Sequence, residues 1–267
     1  MLILLWTGPV LLSLFAWLAA MLPVVAETED DSCLAAPYEA VETDAQREVL
    51  ALIGATEKSV EGFASLGAAL RDERLVVCVS DRLFSELAYL DAEQYRIVLS
   101  RSMGTGLRQA VFLHELRHLD QLRLGACPGP ELSMQEYARA VFANEADANA
   151  ITLLVAWDQK NKGNPSLWEA LTAWTSTADI AARFEVAMNE SADPAEAAAA
   201  AFEAWYGSEA RRERYYVSTC SAYLDRQDRL HTLPSYDSVG PGYFTTLCTM
   251  PDGAAYPCAE PEGAGRR

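Results

Sequence analysis

Residues 113–121 read LHELRHLDQ and set His114 and His118 four positions apart around Glu115, in the spacing HExxH. On an α-helix, residues four apart share a face, so the two imidazoles can offer nitrogens to a single metal ion. Glu115, one step round the helix, then stands beside that ion, where a carboxylate can take a proton from an activated water. The chain has only 3 His and two of them fall here, which makes chance a poor explanation. Phe112, Leu113, Leu116 and Leu119 make the other sides of the helix apolar. That pattern predicts a buried helix whose histidines line an internal cleft.

A catalytic zinc ion takes three protein ligands and keeps a fourth position open. A third histidine six residues beyond His118 is excluded, because position 124 is Leu. The stretch 144–150, NEADANA, offers acids on a following helix instead. Glu145 falls on the stripe of Ala138, Val141, Ala148 and Thr152, an inward face where an unpaired carboxylate is costly. Coordination explains that placement. Asp147, on the face of Ala143 and Leu154, is the alternative third ligand.

HELRH followed by a helix with Glu145, Ala148 and Asn149 resembles the gluzincin class of zinc metallopeptidases. The preceding YRIVLS segment is similar to compact bacterial members of that class, uncharacterised metallopeptidase families included. The resemblance covers residues 88–157, and HExxH is its most specific part. It implies Zn2+ held by His114, His118 and Glu145, Glu115 as general base, and a peptide or protein substrate. It also implies a donor for the oxyanion, with His231 in DRLHTLPSY as the candidate and Tyr236, Tyr215 or Tyr216 as alternatives. In many gluzincins the residue four after the ligand Glu is an Asp that bonds a zinc histidine. Here it is Asn149, which keeps an acceptor oxygen but adds no charge. The strand 95–99 is expected to be an edge that binds an extended peptide. Gln121 lies one turn from His118 and can line the cleft, whereas Asp120 reads equally well as a solvated residue.

At 267 residues, 51% hydrophobic and 22% charged, the chain has room for one large domain or two small ones. A net charge of -17 argues against nucleic acid as a partner. Residues 2–26 carry no charged side chain and read as a signal peptide or a membrane anchor, with Val24 and Ala26 placed for cleavage before Glu27. The protein is therefore expected to be exported, whether periplasmic, secreted or anchored to the membrane through residues 2–26. The oligomeric state is not legible. Six cysteines without a CxxC pair suit disulfides better than a thiolate metal site, and Cys248 with Cys258 forms a local clasp.

The expected fold is α+β and mostly helical: a zincin-like core with a small antiparallel sheet beside the motif helix, and a helical C-terminal extension. Residues 1–26 form the targeting segment, 27–42 an acidic tether and 43–160 the core. Residues 161–230 form the extension and 231–267 an irregular, disulfide-clasped tail. Thr43 and Gln46 form a capping-box pattern that opens one helix running to about residue 71. Gly104 and Gly106 loosen the chain before the motif helix, which ends at Gly125. Two readings from other classes compete with the enzyme: a zinc-holding envelope scaffold without activity, and a metal-free domain with structural histidines. Metal content separates the second from the rest, and hydrolysis separates the first.

Overall fold

The Thr43 hydroxyl accepts a hydrogen bond from the Gln46 amide, and the Gln46 side chain accepts one from the Thr43 amide. This is the predicted capping box, which stabilises a helix start by about 1 kcal/mol, and it opens α1 (Asp44–Ser59). The computed structural model describes residues 32–83 and 87–262. In it the expected single helix breaks in two. Gly62, at φ 96°, takes a left-handed backbone that an L side chain resists, and α2 (Ala64–Leu70) starts afresh beyond it.

Among the described residues one sheet forms, from β1 (Cys33–Ala35), β2 (Val76–Ser80), β3 (Ala88–Asp91) and β4 (Arg96–Ser100) in the order β1-β2-β4-β3. It is mixed, not antiparallel as expected: β2 and β4 run parallel, with β1 and β3 antiparallel on the flanks. β3 takes the outer position, and the following turn returns β4 between β3 and β2. The strand expected at an edge is therefore interior, with Ile97 and Leu99 wholly buried. The edge beside the motif helix is β3. Nor is the described part of 27–42 a mere tether, because it supplies β1, tied to β2 by the Cys33–Cys78 disulfide.

At the centre α3 (Thr105–Leu124) packs on α4 (Met134–Asn161), and α2, α5 (Ser166–Ala173), β3 and β4 close round α3. Gly106 lies inside α3 and does not loosen the chain before it. A Cβ there would sit 3.0 Å from the Ser166 carbonyl oxygen, so the missing side chain lets α5 close on the first turn. Gly125, at φ 73°, ends the helix as predicted. The alanine run falls in α7 (Pro194–Tyr206), where buried Ala197, Ala198 and Ala201 let it pack closely against α4 and α6 (Ala178–Ser191). Then α8 (Glu209–Leu230) lies over α4 and α7.

The tail is more ordered than its composition suggests. It carries α9 (Tyr243–Leu247), which packs on α3, and the expected Cys248–Cys258 disulfide, while Glu260 pairs with Arg139. Cys127 and Cys220 are free thiols. Two disulfides fit an oxidising environment. The apolar segment 2–26 lies outside the described residues, among which no helix is long and apolar enough to cross a membrane.

Candidate metal centre

The helical repeat puts His114 and His118 on one face of α3, and the adjacent face of α4 presents Glu145 to both. The two histidine Nε2 atoms lie 3.1 Å apart. Glu145 Oε2 is 3.3 Å from His114 Nε2, and Glu145 Oε1 is 3.3 Å from His118 Nε2. Glu145 thus turns one oxygen to each histidine, and one donor atom from each of the three residues lies within 4.8 Å of the others, close enough to share one metal ion. The donor chemistry agrees, because Glu145 Oε2 is buried and accepts no hydrogen bond. A cation held between the three side chains would satisfy it.

Glu145 and the two histidines are strongly coupled electrostatically. Burial disfavours a charged His118 ring, but the Glu145 carboxylate, helped by Glu115, outweighs burial and pushes its pKa up to about 9. Burial likewise disfavours an ionised Glu145, yet the two histidines hold its pKa well below the usual carboxylate range. The carboxylate is thus kept ionised. Glu115, on the next position of α3, lines the same cavity as His114.

That cavity has a volume of about 440 Å³ and opens between β3 and α8. Leu87, Ala88 and Val111 form one side of its lining, and Trp174, Trp205 and Tyr215 contribute aromatic surface. Tyr215 stands against Glu145. The charge of Glu145, burial, and a hydrogen bond from the phenol to the carboxylate together raise the Tyr215 pKa far above its ordinary value. His231 does not come to the cluster. It caps the far end of α8, exposed, 16 residues and therefore about 24 Å along the helix from Tyr215. Tyr236 is 88% exposed, whereas Tyr215 stands beside the His114, His118 and Glu145 cluster.

Behind the ligands lies a buried polar cluster that the sequence reading missed. Arg117 Nε donates to Asp147 Oδ2 at 2.7 Å, and its Nη1 to Asp120 Oδ2 at 2.6 Å. Its Nη2 donates to Asp147 Oδ1 at 3.1 Å and to the carbonyls of Leu247 and Thr249 at 3.2 and 2.8 Å. Asp147 also accepts from Tyr256 and Gln121, so both its oxygens are engaged and it offers nothing to the His114, His118 and Glu145 cluster. Asp120, for which a solvated position read equally well, is buried and accepts a further bond from Ser65. Asn149, expected to bond a zinc histidine, donates instead to the Glu145 backbone oxygen at 2.8 Å.

The model of the family described as "Putative metallopeptidase family (DUF6782)" matches residues 25–258. No curated protein and no solved structure matches the chain.

Proposed function

We propose that this chain, which belongs to the metallopeptidase family whose model it matches, is an exported zinc peptidase of gluzincin type with His114, His118 and Glu145 as ligands. The observation that carries the reading is the cluster of His114, His118 and Glu145, which offers one donor atom from each residue with all three within 4.8 Å of one another. The mixed sheet beside the motif helix supports a zincin-like core, and the two disulfides support export.

A bound zinc ion would supply a Lewis acid that polarises the scissile carbonyl and acidifies water. The chain's own groups do the rest. Glu115 takes the proton of the attacking water on its carboxylate and delivers it to the leaving nitrogen. Tyr215 donates its phenolic hydrogen to the carbonyl oxygen as negative charge grows there. The phenol, an ordinary Tyr hydroxyl pushed further up by neighbouring carboxylates and burial, carries that hydrogen near neutral pH. An extended peptide pairs with the open edge of β3, whose first residue, Ala88, lines the cavity. Tyr215→Phe is expected to lower kcat about 10²-fold with zinc content unchanged, the loss typical of one oxyanion donor. Steady-state kinetics beside metal analysis check this, and a change under twofold removes Tyr215 from the mechanism.

Elemental analysis of the purified protein tests the reading as a whole. About one zinc per chain is expected, lost in both His114→Ala and Glu145→Ala. A wild type that stays empty after zinc is supplied overturns it. A zinc-loaded protein that cleaves nothing in a diverse peptide library turns the reading towards an envelope scaffold.

A further inference from the structure

Behind His118 lies an amide whose orientation its neighbours decide. Gln121 is wholly buried one turn further along α3. Its Nε2 lies 2.9 Å from the Asn144 carbonyl oxygen and 2.6 Å from Asp147 Oδ2, an oxygen that also accepts from Arg117 Nε. Turning the amide over would lose both bonds and set oxygen against oxygen twice. Asn144 gives the same answer independently, since its Nδ2 donates to the Ala126 carbonyl and to Gln121 Oε1, each at 3.0 Å. Gln121 therefore faces His118 with its oxygen. His118 Nδ1, 2.8 Å away, has to be the donor. With a proton fixed on Nδ1, the neutral ring that a metal requires can offer a lone pair only from Nε2, and Nε2 is the atom that faces His114 and Glu145.

We propose that Gln121 is the positioning residue that decides which nitrogen of His118 is the metal ligand, and that Asn144 and the Asp147–Arg117 pair lock its amide in that sense. This rests on the zinc reading of His114, His118 and Glu145. It gives the task of holding the His118 ring to the motif helix itself, because the acceptor at His118 Nδ1 is Gln121 Oε1. A residue orienting a ligand in this way is worth about 10–100-fold in metal affinity.

The test combines zinc dissociation constants, from competition with a chromophoric chelator, with nitrogen–proton spectra of the full, zinc-loaded chain labelled at histidine. With only 3 His in the chain, the imidazole signals can be assigned by single substitutions. Wild type is expected to show a His118 Nδ1–H protected from exchange with water. Gln121→Met keeps the bulk but removes the acceptor, and is expected to bind zinc about 10–100-fold more weakly and to lose that signal. Gln121→Glu keeps an acceptor for the ring, and is expected to hold zinc nearly as wild type does even where its melting temperature falls. If Gln121→Met melts lower but keeps wild-type zinc affinity and the protected signal, Gln121 only packs and the inference is overturned. If that variant does not fold, the wild-type spectrum decides, because an unprotected His118 Nδ1–H overturns the inference alone. A wild type that binds no zinc removes the metal reading itself, a different result from zinc bound without help from Gln121.

Discussion

Glu115→Gln is expected to hold about one zinc per chain and to lose hydrolysis by about 10³–10⁴-fold in kcat, equivalent to roughly 4–5.5 kcal/mol of barrier. The substitution keeps the shape and one acceptor oxygen but removes the group that can receive a proton. The three proposed ligands are other residues, so the metal stays. KM should change little, because a peptide laid along β3 is held by backbone pairing that Glu115 does not touch. One side effect is built into the site: the charge of Glu115 helps to raise the pKa values of both His118 and Tyr215, and the variant removes it. That shift bears on metal uptake near neutral pH and leaves the lost proton transfer as the main deficit. Kinetics on a cleaved reporter peptide, with metal analysis of the same preparation, give the answer. Residual turnover within about tenfold of wild type would remove Glu115 as the base.

How much of this was legible beforehand depended on the range over which each signal acts. The motif helix, its stop at Gly125 and the Thr43 cap are local devices, fixed by residues within one turn, and the chain alone reveals them. Glu145 was legible for a related reason. Its stripe on α4 is apolar, and a carboxylate on an apolar face asks for a partner.

The direction of β4 was not legible, because a short strand carries no mark of whether its neighbour runs with it or against it. Only the outward placement of β3 makes β4 parallel to β2. Asp147 could be read as an alternative metal ligand for the same reason at the level of side chains, because Arg117, which engages it, lies 30 residues away in sequence. Asp120 lies one turn from Arg117, but its other partner, Ser65, is 55 residues away. His231 shows the opposite error. A chemically suitable residue was assigned by type, and the length of α8 keeps it from the site.

Arg117→Met is expected to destabilise the fold by about 3–5 kcal/mol, the usual result of removing one partner from a buried charge cluster. Arg117 is 0% exposed, and burial works against its charge, but Asp147 and Asp120 hold its pKa far above the ordinary range. Removing the guanidinium leaves two buried carboxylates facing apolar bulk and takes the donor from the carbonyls of Leu247 and Thr249. The loss should therefore be accompanied by faster amide exchange in the segment that follows α9. The exposed pair of Arg47 and Asp44 is the control, since Arg47→Met should cost less than about 1 kcal/mol. Urea unfolding with the disulfides intact measures both. The double variant Arg117→Met with Asp147→Leu separates charge from packing: if the penalty is an uncompensated carboxylate, removing that carboxylate recovers part of it. It also takes away one of the two acceptors that orient the Gln121 amide, so zinc affinity should recover less than stability does. Recovery of both together would mean that the cluster holds the fold but does not set the metal ligand.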